Sequence, residues 1–69
     1  MGVFKPEIQY LLEKLLRHDD LQRTLKELEP MDLPHNIALA VSLIRTGHQY
    51  NSDRIIEDGI KSLKMKMLE

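Results

Sequence analysis

The spacing of the apolar residues is the feature that most constrains the fold of this chain. Between the prolines and glycines, leucine and isoleucine recur at intervals of three and four residues rather than at every second position. Residues three and four apart share one face of an α-helix, whereas alternate residues share one face of a β-strand. The pattern therefore predicts an all-α fold, a small bundle of four short helices.

Proline and aspartate set the expected helix ends in the first half of the chain. Pro6 suits the first turn of a helix, because its missing N–H has no partner there in any case. The first helix is expected near residues 6–17. Asp19 or Asp20 could accept hydrogen bonds from the free N–H groups at the start of the next helix, which is expected near residues 20–29.

The second half of the chain predicts two longer helices. The third is expected near residues 34–46, with Gly47 in the left-handed position that follows many helices. The fourth is expected near residues 52–67, and either Asn51 or Ser52 could cap it. The whole chain, residues 1–69, is then a single helical domain.

A single core in a chain this short provides little stability. The sequence has 69 residues and no cysteine, so it has neither disulfides nor a thiolate zinc site to support the fold. A domain of this size rarely gains more than about 3–5 kcal/mol from its core alone. Self-association is therefore expected. The predicted core of the four-helix bundle itself consists of Leu12, Leu15, Leu25, Ile37, Val41, Ile44, Ile56, Ile60 and Leu63.

The third helix has apolar residues on two sides. Ile37, Val41 and Ile44 lie on one face, while Leu39 and Leu43 project from nearly the opposite face. A homodimer in which Leu39 and Leu43 meet their own copies would cover the second face. Alternatively, the first or fourth helix of the same chain could cover it.

Gly59 lies in the middle of the expected fourth helix. Glycine lowers the stability of a helix by about 1 kcal/mol relative to alanine, so its presence here needs a structural reason. Either another helix approaches closely at this point, or the glycine has no structural role. The sequence leaves both interpretations open.

The titratable residues do not form a recognisable reactive site. His18, His35 and His48 are separated by 17 and 13 residues, so no two of them can chelate a metal from one helical face. We expect His18 at the end of the first helix, His35 in the first turn of the third and His48 in a loop. We predict that the chain is not an enzyme and has no catalytic residue, no cofactor and no metal site.

Charge and hydropathy limit the partners of the chain. Ten Lys and Arg residues balance eleven Asp and Glu residues, which gives no long-range field to attract nucleic acid or anionic lipid. Nucleic acid is a less favoured partner, although it is not excluded. No apolar stretch is long enough to span a bilayer, and we expect a cytoplasmic protein.

Two exposed aromatic positions are candidates for contact with a protein partner. Tyr10 is expected on the outer face of the first helix with Lys14 and Arg17, and Tyr50 in the connection before the fourth helix. Tyrosine and arginine are enriched among the residues that dominate binding energy at interfaces. Alternatively, Tyr10 could lie over the stems of its basic neighbours and Tyr50 could close one end of the bundle.

Part of the second half resembles the enterobacterial biofilm-development and acid-resistance regulators. The matching segments are Leu43-Ile44-Arg45-Thr46-Gly47, Tyr50-Asn51-Ser52, Ile55-Ile56 and Ile60-Lys61-Ser62-Leu63. They lie within residues 43–63, a stretch of about 21 residues and less than a third of the chain. The resemblance implies a small, helical, dimeric and non-enzymatic protein that regulates by binding other regulators. We therefore predict a non-catalytic regulatory or adaptor protein that docks onto another protein through its helix faces.

An alternative comes from a resemblance to ribbon-helix-helix antitoxins. It rests on Leu33-Pro34, Ile37, Val41, Thr46-Gly47, Tyr50-Asn51-Ser52 and the stretch from Ile55 to Leu63. It implies a dimeric DNA-binding repressor or antitoxin. Those proteins contact DNA with a basic or polar strand just before the Leu-Pro pair. This chain has the acidic, proline-containing segment Leu28-Glu29-Pro30-Met31-Asp32 there.

Overall fold

A computed structural model, which describes residues 4–68, shows an all-α bundle of four helices and no β-strand within that range. This confirms the predicted fold class. None of the helices in residues 4–68 is both long enough and apolar enough to cross a membrane. The helices are α1 (Pro6–Leu16), α2 (Leu21–Leu28), α3 (His35–Gln49) and α4 (Asp53–Leu68).

The connection between α1 and α2 differs from the prediction. Pro6 begins α1 as expected, but the side chain of Asp20, which directly precedes α2, makes no capping hydrogen bond. Its backbone is left-handed (φ 46°), whereas a capping residue normally has an extended backbone that directs its side chain at the helix N–H groups. The side chain of Asp19 does not cap the helix either. The backbone carbonyl oxygen of Asp19 instead accepts a hydrogen bond from the buried Thr24 hydroxyl, at 3.2 Å.

The end of α3 also differs from the prediction. Gly47 does not follow the helix in a left-handed conformation; it lies inside α3, which continues to Gln49. Asn51 adopts the left-handed conformation (φ 54°) instead. The N–H of Ser52 donates to the carbonyl of Gly47 at 2.8 Å, and the N–H of Asn51 donates to that of His48 at 3.3 Å. This is the hydrogen-bonding pattern of a Schellman motif, with asparagine in the role predicted for glycine.

The longer α3 changes the position of one histidine. His48 lies in the last turn of α3 rather than in a loop, while His35 is in its first turn as predicted. His18 follows the end of α1 with a left-handed backbone (φ 59°). The predicted cap of α4 is confirmed, because the Ser52 hydroxyl oxygen accepts a hydrogen bond from the N–H of Ile55 at 3.3 Å.

The two glycines let α3 and α4 approach each other closely. A Cβ atom added at Gly59 would lie 2.6 Å from Ile44 Cγ1 and 2.9 Å from the Ile44 backbone nitrogen. A Cβ added at Gly47 would lie 2.7 Å from the backbone nitrogen of Ile56. Each helix therefore carries the same Ile-x-x-Gly pattern, and each glycine contacts the isoleucine of the other helix. Of the two interpretations of Gly59, the structure supports close approach.

The core lies between this hairpin and the pair formed by α1 and α2. All the predicted core residues are buried except Ile60, which is half-buried and packs at the edge of the core. The Arg45 side chain extends from α3 to α2, where its Nη1 donates a hydrogen bond to the Leu25 carbonyl at 3.2 Å. Besides Gly47 and Gly59, the buried residues not included in the predicted core are Ile8, Leu11, Leu21, Thr24, Leu28 and Ala40.

Candidate protein-docking surfaces

The solvent-exposed side of α3 has no formally charged side chain. Charged residues make up 30% of the sequence, yet Arg45 is the only Lys, Arg, Asp or Glu residue in α3. Arg45 is half-buried and directed to α2. The exposed residues of α3 are His35, Asn36, Leu39, Ser42, Leu43, Thr46 and Gln49.

Three large apolar or aromatic side chains follow one line on this uncharged side. Leu39 is 56% exposed, Leu43 38% and Tyr50 70%, at positions i, i+4 and i+11. Residues at this spacing share one side of a helix, with Thr46 between the last two. We call Leu39, Leu43, Thr46 and Tyr50 the α3 stripe.

The end of α3 explains why Tyr50 belongs to this stripe. The prediction placed Tyr50 in a separate connection, but α3 continues to Gln49 and Tyr50 follows it directly (φ −99°, ψ 9°). At 70% exposure its ring does not close the end of the bundle. The structure thus joins the two predicted interface leucines to one of the predicted partner-contact tyrosines.

The other predicted contact residues lie on α1. Tyr10 is 59% exposed, and Lys14 Nζ lies 5.6 Å from the centre of its ring, a distance typical of a cation–π contact. Arg17 is exposed directly after the last residue of α1. The structure thus places the Lys14 ammonium group over the Tyr10 ring, and the ring is still largely open to solvent. Packing of the ring over the stems of Lys14 and Arg17 stays a prediction.

A cleft between the end of α1 and the middle of α4 was not predicted. It is an open cavity of about 370 Å³, which we call the α1–α4 cleft. Arg17 and Lys61 both line it, although 44 positions separate them in the sequence, so only the packing of α1 against α4 brings them together. Its other lining residues are Leu16, His18, Glu57 and Ile60.

The described titratable groups form no cluster that suggests chemistry on a bound metal. Within residues 4–68, no three His, Asp or Glu side chains converge on a point where a metal ion could be held. A second cavity of about 300 Å³ contains His18, His48 and Asp53 in its lining, without such convergence. The α3 stripe and the α1–α4 cleft offer apolar area and charged side chains to a partner.

Comparisons with protein-family models, curated proteins and solved structures found no match to this chain. The resemblances to the biofilm-development regulators and to the ribbon-helix-helix antitoxins stay predictions. Function is therefore inferred from the exposed surfaces described above.

Proposed function

We propose that this chain is a small non-catalytic regulatory or adaptor protein, which acts by binding other proteins through its helix faces. The observation that carries the proposal is the α3 stripe, because it combines exposed apolar side chains with an absence of charge around them on the same helix. Charged residues are depleted at the centre of protein interfaces, and tyrosine is enriched there.

A second copy of the chain is the proposed occupant of the α3 stripe. In a two-fold contact, residues near the axis meet their own copies, so a charge there would face a like charge. The exposed residues of α3 include no Asp, Glu, Lys or Arg, and two copies can approach without this repulsion. Burial of Leu39 and Leu43 would add stability at about 25 cal/mol per Å² of apolar surface.

The α1 surface would then remain available for a different protein. Tyr10, Lys14 and Arg17 lie on or directly after α1, so a dimer built on the α3 stripe need not cover them. Aromatic and arginine side chains of this kind dominate binding energy at many interfaces. In this arrangement the dimer presents two such surfaces to its regulatory partner.

The alternative of a DNA-binding repressor has less support from the described residues. The segment in which the DNA-binding strand would lie, Leu28 to Asp32, contains the end of α2 and a turn instead of a strand. The exposed side of α3 has no lysine or arginine. Affinity for DNA depends on neutralising phosphates with such residues. We therefore favour docking onto protein.

Replacing Leu39 and Leu43 together by glutamate is expected to separate the dimer and leave the helices intact. The parent should have the mass of a dimer by light scattering at tens of micromolar, and the double variant the mass of a monomer. The reason is that four carboxylates would gather across the two-fold axis while apolar burial is lost. Circular dichroism should show the same helix content for both proteins.

The matched control is the double variant Ser42→Glu/Gln49→Glu. It adds the same charge to exposed positions of the same helix that lie off the α3 stripe, and it should remain dimeric. A monomeric parent would contradict the dimer, and unfolding of the leucine variant would place those leucines in the subunit core. Tight binding of duplex DNA that weakens steeply with salt would contradict the adaptor proposal itself.

A further inference from the structure

The α1–α4 cleft combines an apolar floor with a rim that is mostly basic. Leu16 and Ile60 form the floor, and both are half-buried against the core. Arg17, His18 and Lys61 line the rim together with the single carboxylate of Glu57, which lies one helical turn before Lys61 on α4. The rim therefore carries a local excess of positive charge in a chain whose net charge is −1.

The charges of this rim are available to a ligand. Within residues 4–68 the one ion pair at 4 Å or less joins Arg23 and Glu27 on α2. Arg17 and Lys61 are both exposed and take no part in it. A cation that already has a carboxylate partner would have to give it up on binding, and these two do not.

Backbone hydrogen bonds hold the wall of the cleft at the end of α1. The N–H of His18 donates to the Leu15 carbonyl at 3.0 Å, and the N–H of Asp19 donates to the Lys14 carbonyl at 2.9 Å. Together with the bond from the Arg17 N–H to the Glu13 carbonyl at 3.1 Å, they fix the backbone that carries Arg17 and His18, so this wall does not have to order when a ligand binds. A preformed site loses less conformational entropy on binding than a mobile one.

We infer that the cleft binds an acidic amphipathic segment of a partner protein. A leucine or phenylalanine of that segment would contact Leu16 and Ile60, while neighbouring aspartate or glutamate side chains pair with Arg17 and Lys61. At about 370 Å³ the open cleft accommodates side chains of a longer ligand. The inference rests on the proposed adaptor function and deepens it by giving the chemical class of the partner.

The residues next to the cleft on α1 extend the same chemistry. Lys14 lies three positions before Arg17, and Tyr10 lies four positions before Lys14, so the three follow one side of the helix. A segment anchored in the cleft could continue along them with further acidic and apolar contacts. Glu57 at the rim disfavours a uniformly anionic ligand such as a nucleic acid, whereas a peptide can place its carboxylates away from it.

Fluorescence anisotropy with designed peptides tests the inference. The probe is a labelled peptide of about twelve residues in which leucine and phenylalanine alternate with pairs of acidic residues. One comparison peptide has lysine in place of the acidic residues, and another has serine in place of the apolar ones. We expect the parent protein to bind the acidic amphipathic peptide at least tenfold more tightly than either comparison peptide, because the floor and the rim contribute together.

Two protein variants locate the binding. Arg17→Glu/Lys61→Glu reverses the rim charge at exposed positions and should weaken binding about tenfold or more. Lys26→Glu/Lys64→Glu makes the same change at two exposed positions that lie outside the cleft and take no part in the ion pair of α2, and it should leave affinity unchanged. Circular dichroism checks that both variants keep the helix content of the parent.

Three results would overturn the inference: no binding of the acidic amphipathic peptide, equal binding of the serine peptide, or equal loss in the two protein variants. These results are distinguishable from failure of the proposed function. If the parent dimerises through the α3 stripe but does not bind the acidic peptide, only the assignment of the cleft is contradicted. If the parent is a monomer that binds this peptide through Arg17 and Lys61, the dimer is contradicted and the cleft assignment is supported.

Discussion

A Val41→Asp variant is expected to be unfolded at room temperature, whereas Leu39→Asp on the same helix stays folded. Val41 is 3% exposed and Leu39 is 56% exposed, so the same new carboxylate meets the core in one case and water in the other. Burying an unpaired charge costs several kcal/mol, which is comparable to the total of about 3–5 kcal/mol expected for a domain of this size. Circular dichroism and thermal melting measure the difference.

Both variants introduce one aspartate into the same helix, so a difference in their stability reports the burial of the position and not the added charge alone. If Val41→Asp had the helix content and the melting temperature of the parent, the assignment of this side of α3 to the core would be wrong. The sequence also predicts Ile60 as a core residue, and an aspartate at a fully buried position there would be equally damaging. Because Ile60 is half-buried at the edge of the core, its aspartate can reach water and a smaller loss of stability is now expected.

A Gly59→Ala variant is expected to be less stable than the parent, the reverse of the usual effect in a helix. Alanine normally stabilises a helix interior by about 1 kcal/mol over glycine. Here the new Cβ would lie 2.9 Å from the backbone nitrogen of Ile44, which cannot turn aside as a side chain could. The two helices must separate, and overpacking of this kind costs about 1–3 kcal/mol. Urea unfolding measures the change in the free energy of unfolding.

Asp58→Ala is the control for Gly59→Ala. It changes the neighbouring position to the same residue at an exposed site of α4, so it gains helix propensity without a clash and should not lower stability by a comparable amount. A Gly59→Ala protein that is more stable than the parent would show that α3 and α4 can relax around the added methyl group. The close approach at Gly59 would then have no energetic role.

Local rules predicted the helices well, but they predicted the cap of α2 and the end of α3 poorly. The number of helices follows from the apolar spacing, and Pro6 and Ser52 act at their own positions, which is why they could be predicted. Gly47 was assigned to the end of α3 by the rule that glycine favours the left-handed conformation. It lies within α3 instead, because the contact with Ile56 of α4 requires a residue without a side chain. That requirement belongs to tertiary packing and has no local signal.

The candidate sites also divide into features that one helix determines and features that depend on tertiary packing. The exposure of Leu39 and Leu43 could be predicted from one helix, because they lie opposite the residues that the core needs. The alignment of Tyr50 with them depended on where α3 ends, and the prediction placed that end too early. The α1–α4 cleft depends on two helices meeting, so no segment of the sequence contains it. A search for basic residues beside half-buried apolar residues on different helices could have suggested it.

Cysteine cross-linking tests most directly the claim that the α3 stripe binds a second copy. The sequence has no cysteine, so Leu43→Cys introduces the only thiol, and in the proposed dimer two such thiols lie near the two-fold axis. Disulfide formation requires Cα atoms within about 7 Å of each other. Under mild oxidation we predict that Leu43→Cys forms a covalent dimer much faster than Gln22→Cys, an exposed position on α2. Equal rates for the two variants would contradict the claim.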